Sequence, residues 1–126
     1  MELNKLYDIA EKENISIISF KMKNKAIIGK INKRYCIGLN YSKIDNSIEE
    51  KELLAEELGH YYCNCLYNTY SDEILIRKKE YRARKWGLKT LVPYNKLSEL
   101  YENGYKYVYE FAEELNVSEE LINQAY

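Results

Sequence analysis

The only histidine of the chain, His60, closes the run Glu56-Glu57-Leu58-Gly59-His60. If this run is helical, Glu56 and His60 are one turn apart on the same face, where together they could hold one metal ion. Glu57 lies beside that pair and could accept a proton from a nucleophilic water, which is the general-base role in metal-assisted hydrolysis. The same pattern is also typical of a solvated, charged helix face, so the spacing alone leaves both interpretations open.

Glu80 is a third candidate, because it falls on the stripe of a second predicted helix that should face the core. A carboxylate in that position needs a partner. The two helix backbones could approach each other at small residues, namely Gly59 on the first helix and Ala83 and Gly87 on the second. Such an approach would bring Glu80 toward Glu56 and His60. The alternative is that Glu80 pairs with Lys79 or Arg84 at the surface.

The run Leu54-Ala55-Glu56-Glu57-Leu58-Gly59-His60-Tyr61-Tyr62 resembles the metal-binding helix of the ImmA/IrrE metallopeptidases of phages, integrative elements and bacteria, which reads His-Glu-x-x-His. Downstream, Glu80-Tyr81-Arg82-Ala83-Arg84-Lys85-Trp86-Gly87 resembles the second helix of that family, where a glutamate three residues before an alanine is the third zinc ligand. The resemblance covers most of residues 1–93. It implies a zinc-dependent endopeptidase in which His60 and Glu80 bind the metal and Glu57 is the catalytic base.

Glu56 stands where the family pattern has its first histidine, and we predict that it is the remaining metal ligand, alongside His60 and Glu80. Two carboxylates neutralise Zn²⁺, whereas two histidines and one carboxylate leave a unit of positive charge on the site. The Lewis acidity of the ion should therefore be lower. Coordination that is richer in oxygen also makes manganese or iron more competitive with zinc.

The resemblance further implies a substrate, a helix-turn-helix repressor encoded nearby, whose cleavage would release the genes of a phage or other mobile element. Direct DNA binding is not expected, because 19 Lys and Arg residues against 20 Asp and Glu residues give a net charge of −1 and no general attraction to phosphate backbones. Two non-catalytic alternatives remain open: a regulatory protein-binding module on the same fold, and a metal-binding regulator.

The chain is expected to be a cytoplasmic protein, because residues 1–5 lack an apolar signal region and no apolar stretch is long enough to span a bilayer. Three cysteines, Cys36, Cys63 and Cys65, make an odd number, which favours reduced thiols over a disulfide framework. A thiolate of Cys63 or Cys65 could replace Glu56 as a ligand or act as a nucleophile with His60 as its base. A small buried or partly exposed thiol is the commoner explanation.

The length of 126 residues corresponds to one compact unit. Apolar residues at helical spacing predict a helix over residues 2–13, with Asn14 as its stop. Three short stretches rich in β-branched and aromatic residues predict strands over 15–20, 26–31 and 34–40, and Asn32-Lys33 offers a tight turn between the last two. These strands should form a small antiparallel sheet, which gives an α+β fold.

The helix that carries the glutamates and histidine is predicted to begin at Ser47, since Ser47-Ile48-Glu49-Glu50 is typical of a capping box, and to run to about Cys65. A second helix is predicted over residues 73–91, ending before Pro93. These two would form a zincin-like metal-site pair. Its second helix also carries a basic cluster, Arg77-Lys78-Lys79 with Arg82, Arg84 and Lys85, which is either a solvated face or a dock for an acidic partner or nucleic acid.

The last third of the chain is predicted to be helical over residues 97–102, 107–115 and again after Ser118. Residues 107–122 resemble a helix-turn-helix, but Glu119 and Glu120 at the start of its second helix would face phosphates badly. We therefore expect this segment to serve packing or protein docking. The predicted organisation is a metallopeptidase-like domain over residues 1–93, with a helical segment over 94–126 packed on it.

Overall fold

A computed structural model describes residues 1–66 and 71–125 of the protein. In chain order the elements are α1 (Leu3–Lys12), β1 (Ser16–Ser19), β2 (Ala26–Ile31), β3 (Arg34–Leu39), a short 3₁₀ turn (Tyr41–Lys43), α2 (Ser47–Tyr62), α3 (Glu73–Leu91), α4 (Tyr94–Glu102), α5 (Val108–Leu115) and α6 (Glu119–Gln124). The predicted α+β class is confirmed. The bounds of α3 agree with those predicted, and α4 begins three residues earlier than expected, directly after Pro93.

The sheet is mixed, with strand order β1-β3-β2, so the expectation of a wholly antiparallel sheet was wrong for β1. The β2–β3 hairpin is antiparallel, and its turn residues Asn32 and Lys33 both have positive φ, as a tight two-residue hairpin turn requires. Strand β1 pairs with β3 in parallel. The segment 20–25 crosses the end of the sheet to reach β2, and its Met22 carbonyl accepts a hydrogen bond from the Asn40 side chain at 2.7 Å. The alternation of side chains along a strand determines which of them face the core, but not which strands pair or in which direction they run.

The N-cap of α2 is Asn46, one residue earlier than the predicted Ser47. The Asn46 side chain accepts from the Glu49 backbone N–H at 2.8 Å, and the Glu49 carboxylate accepts from the Asp45 N–H at 3.2 Å. The helix ends at Tyr62, earlier than the predicted Cys65. Asn64 is left-handed, with φ of 53°, and this conformation stops the helix.

One hydrophobic cluster joins the sheet, α1 and α2 to the C-terminal helices. Its fully buried side chains include Leu6, Ile37, Leu54, Leu58 and Leu91. Buried residues of the last third, Ala112, Val117 and Ile122, belong to the same cluster. The division of the chain at residue 93 stays a prediction.

The predicted helix-turn-helix-like segment is formed by α5 and α6, with a left-handed Asn116 between them and the Ser118 side chain capping α6. It is tied to α2 by polar contacts. Glu52 accepts hydrogen bonds from the backbone N–H of Ser118 at 2.7 Å and from its hydroxyl at 2.8 Å, and the buried Lys51 donates to the Asn116 carbonyl. Across the described residues, no helix has the combination of length and apolar character needed to cross a bilayer.

Candidate metal centre

Helices α2 and α3 approach each other at small residues. A Cβ atom built at Gly59 would lie 2.3 Å from the backbone oxygen of Ala83, so no larger residue fits there without a shift of the backbone. At Gly87 the nearest atoms belong to Ala55, at 3.6 Å, which is ordinary van der Waals contact. The helices therefore approach more closely at Gly59, next to His60, than at Gly87.

This approach brings Glu56, His60 and Glu80 together. Each offers one ligand atom, and the three atoms lie within 4.8 Å of one another. The Nε2 atom of His60 is 3.3 Å from a carboxylate oxygen of Glu80. Of the two surface alternatives for Glu80, Lys79 instead donates to the Leu66 carbonyl.

His60 is held in one orientation by a backbone group. The residue is 5% exposed, and its Nδ1 atom is 3.2 Å from the carbonyl oxygen of Cys65. With the Nδ1 proton directed at that carbonyl, Nε2 is the nitrogen that faces Glu80. This is the arrangement by which a second hydrogen bond fixes the tautomer of a metal-binding histidine.

The role of the Cys65 carbonyl was not predicted from the sequence, because every residue carries such a group. The signal that could have indicated it is Asn64, whose side-chain type tolerates the left-handed conformation that ends a helix. That turn folds the chain back, so that the Cys65 N–H donates to the His60 carbonyl at 2.8 Å while the Cys65 carbonyl meets the ring.

Burial and nearby negative charge disfavour the ionisation of Glu56 and Glu57. Burial is the largest cause that raises the pKa of the Glu56 carboxyl, followed by its hydrogen bond to Glu80 and the charge of Glu80; Arg84 and His60 act in the opposite direction. Burial, together with the charges of Glu56 and Glu80, raises the pKa of Glu57 to about 8. A cation held among these groups would stabilise their charged forms.

The donor set fits a metal ion. Ligands about 2.1 Å from a tetrahedral ion stand roughly 3.4 Å apart, and the 3.3 Å between His60 and Glu80 is close to that separation. Two carboxylates and one imidazole suit zinc, manganese and iron. Glu56, His60 and Glu80 are therefore the residues that would hold the ion, with Glu57 next to them in the chain.

A family model, Peptidase_M78, described as IrrE N-terminal-like domain, matches residues 10–125. The chain belongs to this family. Searches of curated proteins and of solved structures gave no match. The resemblance to ImmA/IrrE proteins is thus confirmed, and membership supports a metallopeptidase of this kind. The match also extends through α4 to α6, beyond the residues that carried the resemblance in the sequence.

The cysteines of this IrrE-like domain direct their thiols at backbone oxygens. Cys63 Sγ lies 3.4 Å from the Arg82 carbonyl, and Cys65 Sγ lies 3.3 Å from the Cys63 carbonyl. Burial is the largest cause that raises the pKa of the Cys65 thiol. The cluster of possible metal ligands found among the described residues contains carboxylates and the imidazole, without a thiol.

The basic cluster on α3 is largely exposed in this family member, with its Lys79 half-buried against the Leu66 carbonyl. Arg77 pairs with Glu73 one turn earlier at 2.9 Å, and the Lys85 ammonium lies 5.5 Å from the centre of the Tyr81 ring. These intrahelical contacts are those expected of a solvated face.

Proposed function

We propose that this protein is a metal-dependent endopeptidase. The observation that carries the proposal is the meeting of Glu56, His60 and Glu80 from two helices, with Glu57 beside them, in a chain of the Peptidase_M78 family. Zinc is the ion we expect, with manganese or iron as alternatives, because two of the three ligands are carboxylates.

A bound metal ion supplies Lewis-acid chemistry, which polarises a carbonyl and makes a water molecule more acidic. Glu57 accepts the proton of the attacking water and passes it to the leaving amine. Glu57 is partly buried and directly follows Glu56 in the chain, which supports this role. His60 keeps its metal-binding nitrogen in place through the hydrogen bond to the Cys65 carbonyl.

The substrate we propose is a helix-turn-helix repressor of a phage or other mobile element, whose cleavage would derepress gene expression. Support for this substrate comes from the family resemblance. The peptide bond that is cut would belong to this protein partner. Because two carboxylate ligands lower the Lewis acidity of the ion, they reduce the acceleration that it provides, and the centre is suited to a slow, regulatory hydrolysis.

A second candidate function is a catalytically inactive, regulatory protein-binding module on the same fold. One observation favours it. Glu56 stands where the family pattern has a histidine, and this change weakens the acidifying power of the site. The module would bind its regulator without cutting it.

Metal content of the purified protein, measured by elemental mass spectrometry, tests the centre. We expect about one ion per chain in the wild type and loss of that ion in Glu56→Ala and Glu80→Ala. Glu73→Ala is the matched control, because Glu73 lies on the same helix as Glu80 but is exposed. A wild-type protein that stays metal-free after incubation with zinc or manganese contradicts the proposal.

Cleavage of a co-expressed repressor separates the two functions. Glu57→Gln should keep the metal, because Glu57 is not one of the three clustered ligands, and should abolish the cut. Repressor inactivation that survives this substitution, with the repressor chain intact on a gel, would favour the binding module.

A further inference from the structure

A groove of about 770 Å³ opens between α2, α3 and α6. Its volume falls within the roughly 300–1,000 Å³ that is typical of ligand-binding clefts. Glu56 on α2 and Arg84 on α3 both line it, so the groove reaches the proposed metal centre. A polypeptide lying in it would have one end next to the reacting groups.

Part of the groove wall is apolar surface that is not packed into the hydrophobic core. Ala55 and Leu91 at the groove are buried members of the hydrophobic cluster. In contrast, Ile48, Leu53 and Leu88 line the groove, are only partly buried, and lie outside that cluster as it is defined over the described residues. Apolar side chains of a ligand would cover this surface and gain the free energy of its burial.

The charged side chains of the groove are mainly acidic. Besides Glu56, its lining contains Glu49, Glu52 and Glu120, against the single guanidinium of Arg84. Glu49 forms an ion pair with the Lys25 ammonium at 3.0 Å, and Glu52 accepts a hydrogen bond from the Ser118 hydroxyl. Glu120 is an exposed residue in the first turn of α6. With Glu49 paired and Glu56 at the proposed metal centre, Glu52 and Glu120 still outnumber Arg84, and this excess of negative charge would attract a basic side chain of a ligand.

We propose that this groove binds the substrate polypeptide beside the scissile bond and selects a segment with apolar and basic side chains. The assignment rests on the proposed peptidase function. It makes α6 part of the specificity site, since Glu120, Leu121 and Gln124 form its outer wall. Helix α6 would then contribute to substrate choice together with the groove-lining residues of α2 and α3, the helices that also hold the catalytic groups.

Binding of two fluorescent peptides to the full-length, zinc-loaded protein tests the preference without requiring cleavage. The peptides share a background of leucine, alanine and serine and differ only in carrying lysines or glutamates at the same positions. Fluorescence anisotropy should give tighter binding for the lysine peptide. Equal affinities, or no binding of either peptide, would overturn the proposal.

Charge reversal at two adjacent residues locates the site. Glu120 lines the groove and Glu119 does not, although both are exposed residues in the first turn of α6. Glu120→Lys should weaken binding of the lysine peptide by about threefold to tenfold. Glu119→Lys should have a much smaller effect at physiological salt, where the screening length is about 8 Å. Equal effects of the two substitutions would overturn the assignment of peptide binding to the groove.

A steric pair tests occupancy of the groove. Gln124→Trp places a large ring at the groove wall, whereas Asn123→Trp places it on the neighbouring exposed position, which does not line the groove. Only the first should reduce peptide binding, with both variants folded by circular dichroism. Peptides that bind as expected, together with a co-expressed repressor that stays intact on a gel, would contradict the peptidase and leave the groove standing. Cleavage that is insensitive to Glu120→Lys and Gln124→Trp would contradict the groove and leave the peptidase standing.

Discussion

In the α2–α3 pair, two backbones meet at Gly59 and Ala83, with no space for a side chain between them. In the α5–α6 pair, a left-handed Asn116 links the two helices, and polar contacts with α2 hold the pair in place. The first pair brings acidic groups together through backbone proximity. The second presents acidic groups at its surface, where they can vary without moving the metal ligands.

This difference indicates how the protein divides its tasks. A centre that depends on close backbone contact is rigid, because any extra atom at the contact moves both helices. The α5–α6 pair, which we call the rim, is attached to α2 by side-chain hydrogen bonds, and an attachment of this kind tolerates substitution. The α2–α3 contact would therefore fix the catalytic geometry, whereas α6 could vary its groove residues without moving the metal ligands.

The largest effect is expected from Gly59→Ala, which tests the backbone contact. The added methyl group would overlap the Ala83 carbonyl at 2.3 Å, so the free energy of unfolding should fall by about 3 kcal/mol. Metal should also be lost, since His60 follows directly. Urea denaturation and elemental analysis measure the two effects.

Gly87→Ala is the matched control for that substitution, because its new methyl group would meet Ala55 at an ordinary 3.6 Å. It should leave the stability unchanged or raise it by up to about 1 kcal/mol, since alanine is favoured over glycine within a helix. Equal destabilisation by the two substitutions would contradict a special contact at Gly59.

Glu52→Ala tests the attachment of the rim. It removes the acceptor of two hydrogen bonds from Ser118 and should lower the free energy of unfolding by about 1–2 kcal/mol. Metal content should stay at the wild-type level, in contrast to Gly59→Ala. Glu52→Gln, which keeps one acceptor oxygen, should show a smaller loss; metal loss in Glu52→Ala would mean that the rim and the centre are not separate.

The pH dependence of the metal-free protein reports on Glu57. Its pKa is raised from 4.5 to about 8 in the folded state, so between these values the folded chain holds a proton that the unfolded chain has released. Stability should therefore fall as pH rises from about 4.5 to 8. Glu57→Gln cannot titrate and should gain about 1–2 kcal/mol over the wild type at pH 8 but little at pH 4.5.

Urea denaturation of chelator-treated protein at several pH values checks this expectation. Glu113→Gln, which removes an exposed carboxylate on α5, is the control and should leave the slope nearly unchanged. If the wild type and Glu57→Gln showed parallel profiles, Glu57 would not be the group that burial and its acidic neighbours perturb.

The smallest effect is expected from Arg77→Ala, at the outer face of α3. Arg77 pairs with Glu73 at 2.9 Å, but the two side chains are 77% and 80% exposed. Such pairs contribute little, so the change in the free energy of unfolding should stay below about 0.5 kcal/mol. A loss of metal or a larger destabilisation would show that this face supports the centre.

Much of the fold was predictable because it depends on residue patterns within short segments of the sequence. The bounds of α3, the turn at Asn32 and Lys33, and the small residues that let α2 and α3 approach follow from helical spacing and residue type. The candidate ligands could be named from the sequence for the same reason: Glu56 and His60 are one helical turn apart. Their role as ligands stays a prediction.

The rest was not predictable because it depends on segments that are distant in the chain or on backbone groups. Strand β1 pairs with β3 in parallel. The alternation of side chains along a strand shows neither which strand lies next to it nor in which direction that strand runs. The Asn46 cap differs from a Ser47 cap by one residue, and both side chains are good caps. Likewise, the carbonyl of Cys65 that orients His60 is a group that every residue possesses.

The sequence by itself determined the helices, the chemical types of the site residues and their spacing along each helix, because these follow from the period of the α-helix. Only the tertiary structure decided that Glu80 reaches His60, that burial raises the pKa of Glu57, and that α6 closes a groove beside Glu56. Burial and proximity are properties of packed elements, and no single segment contains the information that sets them.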